Sequence, residues 1–145
     1  MSHSVLTFHF HVDGDNFTSA GEASVQVKAK LRQLGFDAEI IRRVSVAMYE
    51  AEINMVVHAR GGEATVTVEH DCITIVLADE GPGIPDIALA MQEGYSTAPD
   101  NIRMLGFGAG MGLPNMKRNT DEMGIQSELG KGTVITMKVY VPREV

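Results

Sequence analysis

Between Gly106 and Gly112 a glycine stands at every second position, and Leu113-Pro114-Asn115 follow at once. Such a run does not belong inside a helix or strand, where each glycine costs roughly 0.5–1 kcal/mol relative to alanine. Pro114, by contrast, suits the first turn of a helix. The chain therefore passes from bare loop backbone straight into a helix start. Free N–H groups and the positive end of the helix dipole then face one place, an arrangement that favours an anion such as phosphate. The segment is not a P-loop, because no Gly-Lys-Ser/Thr follows. It is not a dinucleotide fingerprint either, since Met111 stands where the third glycine should fall and no strand precedes it. A plain flexible loop is the alternative reading of these glycines.

The elements around this run follow from hydrophobic periodicity. Residues 5–12 alternate, with Phe8, Phe10 and Val12 on one face and Thr7, His9 and His11 on the other, which predicts a strand closed by Asp13-Gly14-Asp15-Asn16. Ala20, Ser24, Val27, Leu31 and Leu34 recur at helical spacing and predict a helix over about 17–34, stopped by Gly35. Asp37 is a candidate N-cap for a second helix carrying Ile40, Val44, Ala47, Met48, Ala51 and Met55, which runs to about Ala59 before Gly61-Gly62. Two strands follow, about 63–69 and 73–79, turning at His70-Asp71. A glycine- and proline-rich segment from Gly81 to Gly112 carries a short helix near 86–92. A helix over about 113–123 and strands over about 124–129 and 133–141, joined at Gly130-Lys131-Gly132, complete the chain. Two hairpins imply a mixed, mostly antiparallel sheet with the helices on one face, so an α+β, two-layer α/β sandwich is expected over 1–145 as one domain.

Composition narrows the possible partners. The net charge of -7 and the lack of a Lys/Arg-rich run argue against nucleic acid or an anionic membrane surface. The lone cysteine, Cys72, cannot form an internal disulfide. With no secretory signal and no apolar stretch near the roughly 20 residues needed to span a bilayer, the expectation is a cytoplasmic protein.

Three further constellations carry chemistry. Glu50 and Asn54 lie four apart on the second helix and share a face, where a carboxylate and an amide can hold hydrated Mg²⁺ and orient a water or hydroxyl. A surface pair on an ordinary helix is the bland alternative. Glu52 points about 200° away from Glu50 on the helical wheel. Asp79, at the end of an apolar strand and before Glu80-Gly81-Pro82-Gly83-Ile84, can present a carboxylate to an amine such as adenine N6, or it can be part of a plain turn. Thr133 opens the last strand after a glycine turn that needs no function of its own. His3, His9 and His11 could form a metal site, against the commoner reading of exposed surface residues. The nine methionines are read as core filler.

Together, in this order, the four motifs resemble the N, G1, G2 and G3 boxes of the Bergerat-fold (GHKL) ATPases. The likeness is greatest to the small serine/threonine kinases that act as anti-sigma factors or stressosome switch kinases. Glu50-x-x-x-Asn54, Asp79-Glu80-Gly81-Pro82-Gly83-Ile84-Pro85-Asp86, Gly94-Tyr95-Ser96-Thr97 and the run Gly108-Ala109-Gly110-Met111-Gly112-Leu113-Pro114-Asn115-Met116-Lys117-Arg118 carry it, and it extends from about Phe17 to Val141.

The resemblance implies that Glu50 is the general base and Asn54 the Mg²⁺ ligand. It implies that Asp79 reads adenine with Gly81, Gly83, Ile84 and Thr133, and that Gly108, Gly110, Met111, Gly112 and Leu113 wrap the phosphates of ATP. Ser96 and Thr97 fall in its lid. It further implies as partner a STAS-domain antagonist or stressosome scaffold, with a sigma factor or phosphatase downstream and a homodimer as one possible assembly. Two features depart from the pattern. The lid is longer around Asn101–Phe107, with an extra Met-Gly in the glycine run, and Arg103 sits several residues upstream of the glycines rather than just before them. A nucleotide-gated binding module without transfer, a histidine-kinase catalytic domain and a simple ATPase are the rival readings. Glu50 argues against the first, and the second lacks a separate helix with a phospho-accepting histidine.

Overall fold

The computed structural model describes residues 5–13, 21–58, 61–81, 91 and 112–142. In chain order they form β1 (Leu6–Asp13), α1 (Glu22–Gln33), α2 (Ala38–His58), β2 (Gly61–Val68), β3 (Cys72–Asp79), α3 (Gly112–Arg118), β4 (Glu122–Glu128) and β5 (Gly132–Tyr140). The strands make one sheet in the order β1-β2-β3-β5-β4, and every described pair is antiparallel. The α+β sandwich read from the sequence is thus present.

Alternation decides which face of the sheet is covered. Along β3, Ile73, Ile75 and Leu77 are buried while their neighbours are half-exposed, and β5 repeats the pattern with Ile135, Met137 and Val139. On β1, Val12 is buried, Phe8 and Phe10 are half-buried, and Thr7, His9 and His11 point outward as their alternation predicts. α2 supplies the opposing layer with Val44, Ala47, Met48, Ala51 and Met55, and α1 adds Val27 and Leu31. Burying a side chain of this size contributes about 1.5–3 kcal/mol, so these positions dominate the stability of the sandwich. Met48, Met116 and Met137 are fully buried and fill the core. No helix of the described residues is long and apolar enough to cross a membrane.

Several boundaries differ from the sequence reading. α1 starts at Glu22 behind Gly21, which has φ 94, and the expected first residues, 17–20, lie outside the described residues. Gly61 and Gly62 do not simply terminate α2: they open β2, paired with Asp13 and Val12. α3 ends at Arg118 rather than near Met123. Its last turn is closed by Asn119 Nδ2 and Thr120 Oγ1, which donate to the carbonyls of Asn115 and Met116 at 2.8 and 2.9 Å. The Asp121 amide then donates to the Lys138 carbonyl at 2.8 Å, so the chain has already joined the sheet. The helix expected near 86–92 lies outside the described residues except Met91, a turn residue packed against the core. Asp37 caps α2 as expected, its Oδ2 accepting from the Glu39 amide at 3.2 Å.

Candidate functional site

The face of α2 that carries Glu50 and Asn54 meets the start of α3. Asn115 Nδ2 donates to Glu50 Oε1 at 3.3 Å, and both residues are half-buried. One turn along, Asn54 lies against Gly112, where an added β-carbon would stand 3.1 Å from Oδ1 and 3.4 Å from Nδ2. A side chain at 112 would therefore crowd the amide. The first residue of α3 approaches Asn54 this closely because it is glycine.

Asp79 ends β3 at the same end of the sandwich. Its Oδ1 accepts from the Gly81 amide at 2.9 Å and from the Thr133 amide at 3.1 Å. Both bonds use one oxygen, so the carboxylate is held in one orientation while Oδ2 takes part in neither. Thr133 is buried, and its Oγ1 shares a 2.9 Å hydrogen bond with Ser127 Oγ.

Two glycines let neighbouring strands close around Asp79. A β-carbon on Gly132, with φ 138, would overlap the Asp79 carbonyl, and one on Gly62 would overlap the Ala78 carbonyl and stand 2.9 Å from Asp79 Cα. The obstructing atoms are backbone and cannot rotate away. Gly132→Ala is accordingly expected to destabilise the fold by about 1–3 kcal/mol and to displace Asp79. A urea titration showing wild-type stability for that variant would refute this account. The same added β-carbon on Gly62 would stand 2.5 Å from Met55 Cε, so the end of α2 that bears Asn54 sits over the end of β3 that bears Asp79.

Glu52 has a role that the sequence did not reveal. It is 2% exposed, and its carboxylate accepts the amides of Gly21 at 2.9 Å, Ala23 at 3.1 Å and Ser24 at 3.0 Å. Gly21 has no side chain with which to cap α1, so a carboxylate from α2 satisfies the free N–H groups of its first turn. The available signal was a glutamate four residues after Met48 and three before Met55, inside the apolar stripe of α2.

The structure thus brings Glu50 and Asn54 against α3, and Asp79 together with Gly81 and Thr133. Leu113 is buried in the core. Gly83, Ile84, Ser96, Thr97, Arg103, Gly108, Gly110 and Met111 lie outside the described residues. His9 and His11 pair across the ladder with Thr65 Oγ1 at 3.2 Å and Glu63 Oε1 at 2.8 Å. Among the described residues no group of three His, Cys, Asp or Glu side chains suits a metal ion, and His3 lies outside them.

Residues 39–144 match the family described as histidine kinase-, DNA gyrase B-, and HSP90-like ATPase. The chain is 34% identical to serine/threonine-protein kinase RsbT of Bacillus subtilis over 108 residues, which cover 72% of this chain and 75% of that one. It is 36% identical to the anti-sigma F factor of Clostridium acetobutylicum over 121 residues, covering 80% and 81%. In fold it matches the RsbU and RsbW domains of a Mycobacterium tuberculosis protein with a TM-score of 0.65 at 17% identity; the match covers 97% of this chain and 34% of that longer one. The mycobacterial sensor histidine kinase MprB matches with a TM-score of 0.54 at 16% identity, covering 99% of this chain and 100% of that one. The two structural likenesses speak for the fold alone. By the family match and the sequence relatives, the chain belongs to the histidine kinase-, DNA gyrase B- and HSP90-like ATPase family, among relatives named as a serine/threonine-protein kinase and anti-sigma factors.

Proposed function

We propose that the chain transfers the γ-phosphoryl group of ATP to a serine or threonine of a STAS-domain antagonist protein or stressosome scaffold. In this reading it acts in the cytoplasm as an anti-sigma factor or stress-signalling switch kinase. One observation carries the reading: a carboxylate and an amide one turn apart on α2 both meet the helix that follows the glycine run, at the end of the sandwich where Asp79 is held. The names of the sequence relatives support the same choice of reaction.

In the proposed mechanism Asp79 accepts a hydrogen bond from the adenine amine. The Gly81 and Thr133 amides keep that carboxylate turned toward the base. Glu50 takes the proton of the acceptor hydroxyl as its oxygen bonds to the γ-phosphorus and the bridging β–γ P–O bond breaks, leaving ADP. The donor chemistry at Asn54 fits Mg²⁺, a hard cation that takes one or two protein oxygens and keeps its other positions for water and phosphate. When bound there, the ion would offset charge on the phosphate oxygens. Asn54 would hold it through Oδ1.

Calorimetry with ATP and ADP, with and without Mg²⁺, tests the pocket. Asp79→Asn is expected to weaken both nucleotides about 10- to 100-fold, the effect of removing a buried hydrogen bond to a charged acceptor. Millimolar nucleotide failing to bind the wild type would refute the reading. A nucleotide-gated module without transfer would bind normally and phosphorylate nothing.

A further inference from the structure

We propose that Asn115 is a positioning residue for phosphoryl transfer, holding the Glu50 carboxylate so that Oε2 faces the acceptor hydroxyl; this rests on the reading of Glu50 as general base. Asn115 Nδ2 donates to Glu50 Oε1 at 3.3 Å, and its other amide atom, Oδ1, faces Arg118 Nη1 at 3.5 Å. A carboxylate on one side and a guanidinium on the other fix which way the amide points, and a side-chain amide has both the donor and the acceptor that this needs. Asparagine is a poor residue for a helix interior, because its side chain competes for nearby backbone groups. Here that side chain reaches across to α2 instead.

The frame that carries Asn115 is tied down on two sides. Its carbonyl accepts Asn119 Nδ2 at 2.8 Å and the Asn119 amide at 3.2 Å. Asn119 in turn accepts Arg42 Nη1 on Oδ1 at 3.2 Å and Arg43 Nε on its carbonyl at 3.1 Å. Arg43 Nη2 pairs with Asp121 Oδ1 at 3.1 Å, and Asp121 Oδ2 accepts the Tyr140 amide at 2.7 Å. The end of α3 is thus bound to the first turns of α2 and to β5, while its start faces Glu50 farther along α2. Base and donor therefore sit on one clamped unit, and misplacement of a reacting group by a fraction of an ångström is what such a clamp prevents.

The test combines two readouts on the full chain. In the nucleotide-free protein, the side-chain NH₂ signals of Asn115 in a ¹⁵N–¹H spectrum are expected to move upfield in Glu50→Ala, as the hydrogen bond is lost. In single-turnover transfer to a STAS-domain protein that the wild type phosphorylates, Asn115→Ala is expected to slow the step about tenfold. MgATP affinity and melting temperature should stay near wild type. Asn115→Asp, which keeps the shape but replaces the donor with a second carboxylate, is expected to slow it further. In the Glu50→Ala background Asn115→Ala is expected to cause no additional loss, because the two residues act as one unit. An unmoved Asn115 signal, wild-type transfer by Asn115→Asp, or a loss of rate that tracks melting temperature overturns the positioning role. If Glu50→Ala itself transfers at the wild-type rate, the base assignment falls and this inference falls with it. If Glu50→Ala is inactive while Asn115→Asp is fully active, only the positioning role falls.

Discussion

Glu50→Gln is expected to slow phosphoryl transfer by about 10²- to 10⁴-fold while MgATP affinity changes little, the range over which a positioned general base acts. The substitution is nearly isosteric, and the glutamine Oε1 can still accept the hydrogen bond from Asn115 Nδ2. What disappears is an oxygen basic enough to take the hydroxyl proton. Half-burial on α2 against α3 makes a large rearrangement of the helix unnecessary. Single-turnover transfer from γ-labelled ATP, measured beside calorimetric affinity for MgATP, checks this. A variant that binds ATP normally and transfers at the wild-type rate would rule out Glu50 as the base.

Glu52→Ala, two residues away, is expected to act on a different property. Its carboxylate satisfies three backbone amides of the α1 start, and the group is almost completely buried. Hydrogen bonds to a charged acceptor contribute about 1.5–3 kcal/mol each, though losses at one shared group do not simply add. Leaving buried donors unpaired and opening a cavity should destabilise the protein by about 3–5 kcal/mol. The melting temperature should fall by an amount on the order of 10 °C. Glu52→Gln, which keeps one acceptor oxygen, should fall between the two. Chemical denaturation of both variants measures this, and a loss below about 1 kcal/mol for Glu52→Ala would mean that α1 does not depend on the cap. Two glutamates on one helix are thus expected to separate: Glu50→Gln should remove activity with little loss of stability, and Glu52→Ala should remove stability first.

The parts of the fold that were legible in the sequence are those set by local pattern. The alternation of Phe8, Phe10 and Val12 against Thr7, His9 and His11 assigned the covered face of β1. The stripe of Val44, Met48, Ala51 and Met55 assigned the core side of α2. The spacing of Glu50 and Asn54 placed them on one helix face, and the structure shows what that face meets: Asn115 and Gly112 of α3.

What could not be read locally depends on contacts between residues far apart in the chain. Gly61 and Gly62 look like a helix stop, yet they become strand because β1 offers ladder partners to both and β3 a second one to Gly62. Pattern alone carried α3 on to Met123, but Asp121 is captured by Lys138 and Tyr140 of β5, and that pairing ends the helix early. Helical spacing turned Glu52 away from Glu50, but nothing nearby in sequence marks Gly21, Ala23 and Ser24 as its partners. Asn115 carried no signal beyond its place after Pro114 until α3 was packed on α2. Side-chain periodicity follows from backbone geometry and is written along each element. A hydrogen bond between elements depends on where packing sets their axes, and the sandwich has to close before that is decided.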